Sequence, residues 1–288
     1  MIEPALNPES GFRRIRIDCA YDGTNYAGWA KQPDQRTLQG ALEDALAKFL
    51  RVPISTVVAG RTDAGVHATG QVVHADIPET LEKSRYRPDE DLWDLEHFQF
   101  RLNQILEEDF RVYQVSLAPL NFDARFTATS RHYRYKLLDN NEVLLPLNRF
   151  DVATWYRPLN IDLMNRASAP LLGRHDFQTF CRYREGATTL RTLTEFTWSR
   201  DENGLVICDI GADGFGWNMV RNLVGAAVCV GEGRFAPEWM VEILQAGERV
   251  SDSYVFPARG LTLRWVEYPD ALKLAEIRAS ELLAEPSF

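Results

Sequence analysis

RRIRIDCAY, residues 13–21, sets apolar Ile15, Ile17, Cys19 and Tyr21 at alternate positions among mostly polar neighbours. That period of two is the mark of a half-buried strand. RTLQGALEDALAKFL (36–50) then changes period: Leu38, Ala41, Leu42, Ala45, Leu46 and Phe49 fall on one helical face, with Thr37 placed to cap its start and Pro53 beyond its end. STVVA (55–59) and GQVVHAD (70–76) read as strands, residues 95–106 as a helix and FRVYQVSL (110–117) as a strand. The order is β-α-β-β-α-β.

The second half repeats it. RHYRYKLL (131–138) reads as a strand and NIDLMNRASAPLL (160–172) as a helix with Pro170 near its end. RTLTEFTWS (191–199) and GLVICDIGA (204–212) form a hairpin, NMVRNLVGAAVCV (218–230) a helix with a one-sided apolar stripe, Pro237 opens a short extra helix, and LTLRWVEY (261–268) closes the unit. The predicted fold class is α+β: two ferredoxin-like, RRM-like modules with antiparallel sheets, forming a continuous body with a central cleft. The expected boundaries are a disordered tail over 1–12, modules over 13–118 and 119–270, and a helical extension over 271–288.

The chain has 288 residues and a net charge of −9. Its four cysteines form no C-x-x-C pair, and its five histidines do not cluster with cysteines or carboxylates at ligand spacing. No disulfide framework and no metal site are expected. The start MIEPALNPES lacks the basic and apolar regions of a signal peptide, and no apolar run is long enough for a membrane span. The cytoplasm is the expected compartment, with no membrane partner. Net charge disfavours nucleic acid, yet it is unevenly spread. ETLEKSRYRPDEDLWDLE (79–96) is strongly acidic, and NFDARFTATSRHYRYK (121–136) carries Arg125, Arg131, Arg134 and Lys136 against Asp123 alone. A basic groove can sit on an acidic body.

AGRTDAGVHATGQ (59–71) is the stretch that points to chemistry. Read as fold alone it is a long hairpin connection, with Gly60 and Gly65 at positive φ. Read as a site, Asp63 is a carboxylate with Arg61 two residues away, whose charge is expected to lower its pKa. An ionised carboxylate can attack a sugar carbon. His67 and His74 read as structural.

AGRTDAGVHATGQVVH, YDGTNYAGW (21–29), FDARFTATSRHYRYKL (122–137), LLGRHDFQTF (171–180) and NMVRNLVG (218–225) together resemble the TruA family of tRNA pseudouridine synthases. The resemblance runs in order through about residues 13–268. It implies that Asp63 is the aspartate that isomerises uridine to pseudouridine at positions 38, 39 and 40 of the tRNA anticodon stem-loop, without metal or cofactor. It implies Tyr133 stacked on the flipped-out base, Arg61 turning backbone or phosphate into place, Arg221 pairing with Asp63, and a homodimer that binds tRNA. Arg125, Arg131, Arg134, Lys136, Arg182 and Arg184 are candidates for phosphate contacts. GWAKQP (28–33) and ATTLRTL (187–193) depart from the family pattern.

Three other readings stand beside this one: an Asp-dependent uridine isomerase with a different RNA substrate, a nucleoside glycosidase or transglycosylase, and a non-catalytic RNA-binding protein on the same fold. The basic-Gly-aromatic-Gly signature of the last is absent, as is the H-x-E and P-C-x-x-C ligand pattern of a base deaminase.

Overall fold

A computed structural model describes residues 11–81, 93–119, 121–183, 185–186, 188–247 and 255–270. The expected tail over 1–12, apart from its last two residues, and the expected extension over 271–288 lie outside the described residues, as does most of the acidic stretch 79–96. The chain divides into two compact units, the first made of residues 1–62, 68–129 and 266–288 and the second of 63–67 and 130–265. The fold is mixed, with largely antiparallel strands and five helices among the described residues.

In the first unit the chain runs through β1 (Phe12–Tyr21), α1 (Leu38–Leu50), β2 (Thr56–Val58), β3 (His67–Pro78), α2 (Leu95–Ile105) and β4 (Phe110–Leu117). β1 pairs antiparallel with β3 on one side and β4 on the other, and β2 pairs antiparallel with β3, giving the order β4-β1-β3-β2. The alternation in β1 has its cause in burial: Ile15, Ile17, Cys19 and Tyr21 all lie in the core. Thr37 Oγ1 accepts the Gly40 N–H at 3.3 Å and starts α1, while Arg51 in the left-handed region ends it. Phe49 of α1 meets Phe98 of α2 edge to face, with ring centroids 5.0 Å apart.

The second unit contains β5 (Ser130–Leu138), β6 (Ala153–Thr154), α3 (Ile161–Ser168), β7 (Gly173–Asp176), β8 (Leu190–Arg200), β9 (Val206–Ala212), α4 (Met219–Gly231), α5 (Trp239–Ala246) and, through Trp265, β10 (Leu261–Glu267). Its strand order is β10-β5-β9-β8-β7, with the short β6 parallel to β5. α3 stops at Ser168 and passes into a 3-10 turn over Ala169–Leu171, because Pro170 has no N–H to continue the ladder. In α4 the one-sided stripe read from sequence gives way to burial all round; every residue from Met219 to Gly231 is buried except Arg221. Cys19, Cys181, Cys208 and Cys229 are buried free thiols. No described helix is long and apolar enough to cross a membrane.

Asp139, just beyond β5, ties this unit together. Its oxygens accept both Arg200 Nη1 at 2.8 Å and Nη2 at 2.9 Å, together with the Leu159 N–H at 2.7 Å. Its side chain is 4% exposed. Burial works to raise its pKa, but the bonds from Arg200 and Leu159 outweigh burial and leave it below the usual carboxylate value. A depressed folded-state pKa contributes stability above the unfolded value, and that stability is lost as pH falls through the folded one. Asp139→Ala, which leaves the buried Leu159 N–H without its acceptor and Arg200 without its carboxylate, is expected to lower unfolding stability at pH 7 by about 1–3 kcal/mol. Urea denaturation measures this, and the difference from wild type should shrink in acid.

Candidate active site

Asp63 sits in the connection between β2 and β3, which is pinned on both flanks. Upstream, within the first unit, Gln71 Nε2 donates to the Gly60 carbonyl at 2.9 Å and to the Tyr21 hydroxyl at 3.1 Å. That hydroxyl lies 2.8 Å from Thr62 Oγ1, both groups buried, and the Thr62 carbonyl accepts the Trp29 N–H at 3.0 Å. Downstream, within the second unit, the Asp63 carbonyl accepts the Val66 N–H at 3.1 Å and closes a turn. Gly65 takes the third position of that turn with φ of 77°, where a residue without Cβ is favoured. Gly60 has no positive φ, so only one of the two glycines expected in that role fills it. His67 Nε2 bonds the Phe150 carbonyl at 2.8 Å, a structural role.

The turn presents a carboxylate 34% exposed, with Arg221 Nη1 3.8 Å from its Oδ2. Arg221 is aimed by α4: Nε donates to the Phe256 carbonyl at 2.6 Å, and Nη1 lies 3.4 Å from Asn218 Oδ1. Burial pushes the Asp63 pKa up; the Arg221 charge, a hydrogen bond from the Trp217 side chain and the Arg182 charge pull it down, and the net direction is above the ordinary value. The sequence expectation was the reverse, a pKa lowered by Arg61. Desolvation reverses it, and the compensating charges belong to Arg221 and Arg182. Arg61 itself is exposed and has no hydrogen-bond or ion-pair partner among the described residues.

Tyr133, on β5 opposite Ile210 of β9, is 8% exposed and meets Phe215 edge to face at 5.3 Å. Burial pushes its phenol pKa well up, Arg131 draws it back, and the nearby Asp63 charge raises it further, so the hydroxyl stays protonated. Tyr135, two residues on and on the same strand face, is a core residue whose hydroxyl donates to the Pro257 carbonyl at 2.7 Å.

The remaining candidates separate. Arg182 lies over the Trp217 ring at 4.1 Å, beside Asp63. Arg131 Nη1 donates to the Asp213 carbonyl at 2.8 Å. Arg134 and Lys136 alternate with Tyr133 and point to the opposite face. There Arg134 holds Asp209 through two 2.8 Å bonds, and Lys136 holds Asp151 at 2.7 Å. Arg125, in the first unit, lies over its neighbour Phe126 at 5.1 Å. Arg184 lies outside the described residues. Trp217 and Phe215 were not singled out from sequence. Their only signal is the aromatic-rich GADGFGWN (211–218) that precedes α4.

A family model described as tRNA pseudouridine synthase matches residues 19–127 and 167–269. The chain belongs to this family. Proteins named tRNA pseudouridine synthase A are similar over nearly their whole length. That of Frankia casuarinae is 47% identical over 266 residues, covering 92% of this chain and 93% of the relative. Those of Leifsonia xyli and Mycobacterium leprae are 47% and 46% identical, covering 89% and 91% of this chain and 92% of each relative.

For this family member the geometry of the Asp63 turn rests on Gly65. A Cβ there would lie 3.3 Å from Ala258 Cβ, on a backbone that L residues adopt at a cost of about 1–2 kcal/mol. Gly65→Ala is expected to lose about that much stability. Chemical denaturation measures the effect.

Proposed function

We propose that this chain is an isomerase that converts uridine to pseudouridine in tRNA, acting at positions 38, 39 and 40 of the anticodon stem-loop with Asp63 as the catalytic group. The observation that carries the reading is the Asp63 carboxylate: it is offered by a pinned turn, partly desolvated, and faced by Arg221. In the reaction the C1′–N1 bond breaks, the uracil turns, C1′ is joined to C5, the proton displaced from C5 is lost, and N1 gains a proton. The carboxylate can attack C1′, attack C6 of the ring, or remove the 2′-proton, and each route starts from ionised Asp63. Arg221 stabilises that anion. Tyr133 is assigned to the flipped-out base, whose unstacking an aromatic contact partly compensates. Arg61 and Arg182 are assigned to RNA phosphates, since each guanidinium is exposed and carries no carboxylate partner among the described residues.

Each unit is read as a ferredoxin-like module. The order β4-β1-β3-β2 in one and β10-β5-β9-β8 in the other, each on a β-α-β-β-α-β path, support that reading. The boundary between the modules is put in the stretch after β4, which ends at Leu117, and before β5, which begins at Ser130; the compact first unit runs on to residue 129. A cytoplasmic homodimer is part of the same proposal.

Asp63→Asn and Asp63→Ala test it. Pseudouridine formation in tRNA transcripts should fall by roughly 10³-fold or more while tRNA binding persists. Wild-type enzyme should yield the C-linked isomer; release of free uracil would indicate a glycosidase instead. A raised Asp63 pKa means that its charge costs the fold stability above that value, a cost relieved as pH falls through it. Asp63→Asn is therefore expected to be no less stable than wild type at neutral pH. Substantial turnover by the folded Asn variant would defeat the assignment.

A further inference from the structure

Three buried polar side chains from separate stretches of the first unit meet along the loop that leads into Asp63. Gln71 of β3 is fully buried, and Tyr21 at the end of β1 and Thr62 in the loop are 4% and 6% exposed. Apolar residues of the same shape would fill this space with no polar group to satisfy. Here every demand is met. Gln71 Nε2 gives one hydrogen to the Gly60 carbonyl at 2.9 Å and the other to the Tyr21 hydroxyl at 3.1 Å, and Oε1 accepts the Val72 N–H at 3.2 Å. The Tyr21 oxygen, accepting from Gln71, has its own hydrogen for Thr62 Oγ1 at 2.8 Å. The Tyr21 ring rests against Trp29 and Phe110, with centroids 5.9 and 5.8 Å away, and the Trp29 N–H donates to the Thr62 carbonyl at 3.0 Å.

Strand register serves the same contact. Cys19 pairs with Gln71 and Tyr21 with Ala68, so β3 has one more residue than β1 over this interval. Such a bulge bends its strand and re-aims the side chains beside it. In the loop Thr62 turns inward, while its neighbours Arg61 and Asp63 are exposed and partly exposed. Gly60 and Thr62, three residues and one residue before Asp63, are therefore held by one connected set of bonds. We propose that Gln71, Tyr21 and Thr62 are positioning residues: their hydrogen-bond chain fixes the direction of the peptide entering the turn, and through it the Asp63 carboxylate. Being buried, they are not placed to touch RNA. The inference rests on Asp63 being the reactive group, and it assigns the chain to the chemical step and not to tRNA affinity.

Thr62→Val exchanges the hydroxyl for a methyl group, and Tyr21→Phe keeps the ring contacts while removing the other hydroxyl. Each should lower the single-turnover rate of pseudouridine formation at saturating tRNA by about tenfold or more, with Kd for tRNA within about twofold of wild type. Thr62→Ser should restore the rate. Because the hydroxyls act in one chain, the double variant should be no slower than the slower single one. Asp139→Ala, destabilised at a place unconnected with the loop, should keep the wild-type rate. Wild-type rates in Thr62→Val and Tyr21→Phe, losses that multiply in the double variant, or an equal loss in Asp139→Ala would each overturn the proposal. Any of these with Asp63→Asn inactive leaves the assignment of Asp63 standing, whereas an active Asp63→Asn removes that assignment first.

Discussion

The site depends on a contest over one carboxylate. Burial of Asp63 disfavours its charge, and the guanidinium of Arg221 at 3.8 Å, with Trp217 and Arg182, favours it. Neither side is dispensable. A fully solvated Asp63 would be a weakly basic, well-hydrated ion, and a fully buried one without Arg221 would take up a proton. The fold supplies both conditions through the turn at Gly65 and the placement of α4, whose one incompletely buried residue is Arg221.

Among the described residues, charge is often locally compensated. Many arginines and lysines are already engaged by carboxylates, as in Arg14 with Asp76, Arg16 with Asp18, Arg134 with Asp209, Lys136 with Asp151 and Arg200 with Asp139. Arg61 and Arg182 have no such partner among the described residues.

Much of the secondary structure was legible because local periodicity matched burial. β4 spans Phe110–Leu117 as read, and α1 begins after its Thr37 cap. β6 and β7 were not seen, being two and four residues long and without an apolar alternation. In α4 an apparent polar side was misleading, since Asn222 is buried by its bond to the Phe180 carbonyl rather than solvated. Asp63 and Arg221 were found through the motif resemblance, but the direction of the Asp63 pKa was not. That direction depends on desolvation and on residues more than a hundred positions away, and neither is written in the local spacing of Arg61 and Asp63. Trp217 was missed for the same reason. Of the basic residues on β5, alternation made Arg134 and Lys136 look available to RNA; their carboxylate partners on β9 and near β6 become visible only when the strands pair.

The balance at Asp63 can be observed without turnover, by following its carboxyl carbon through a pH titration with carbon-13 NMR on wild type and on Arg221→Gln. The account requires a midpoint above that of an unstructured aspartate, and a further rise when the guanidinium is removed. A midpoint at or below the free-aspartate value, or one that does not respond to Arg221→Gln, would contradict it.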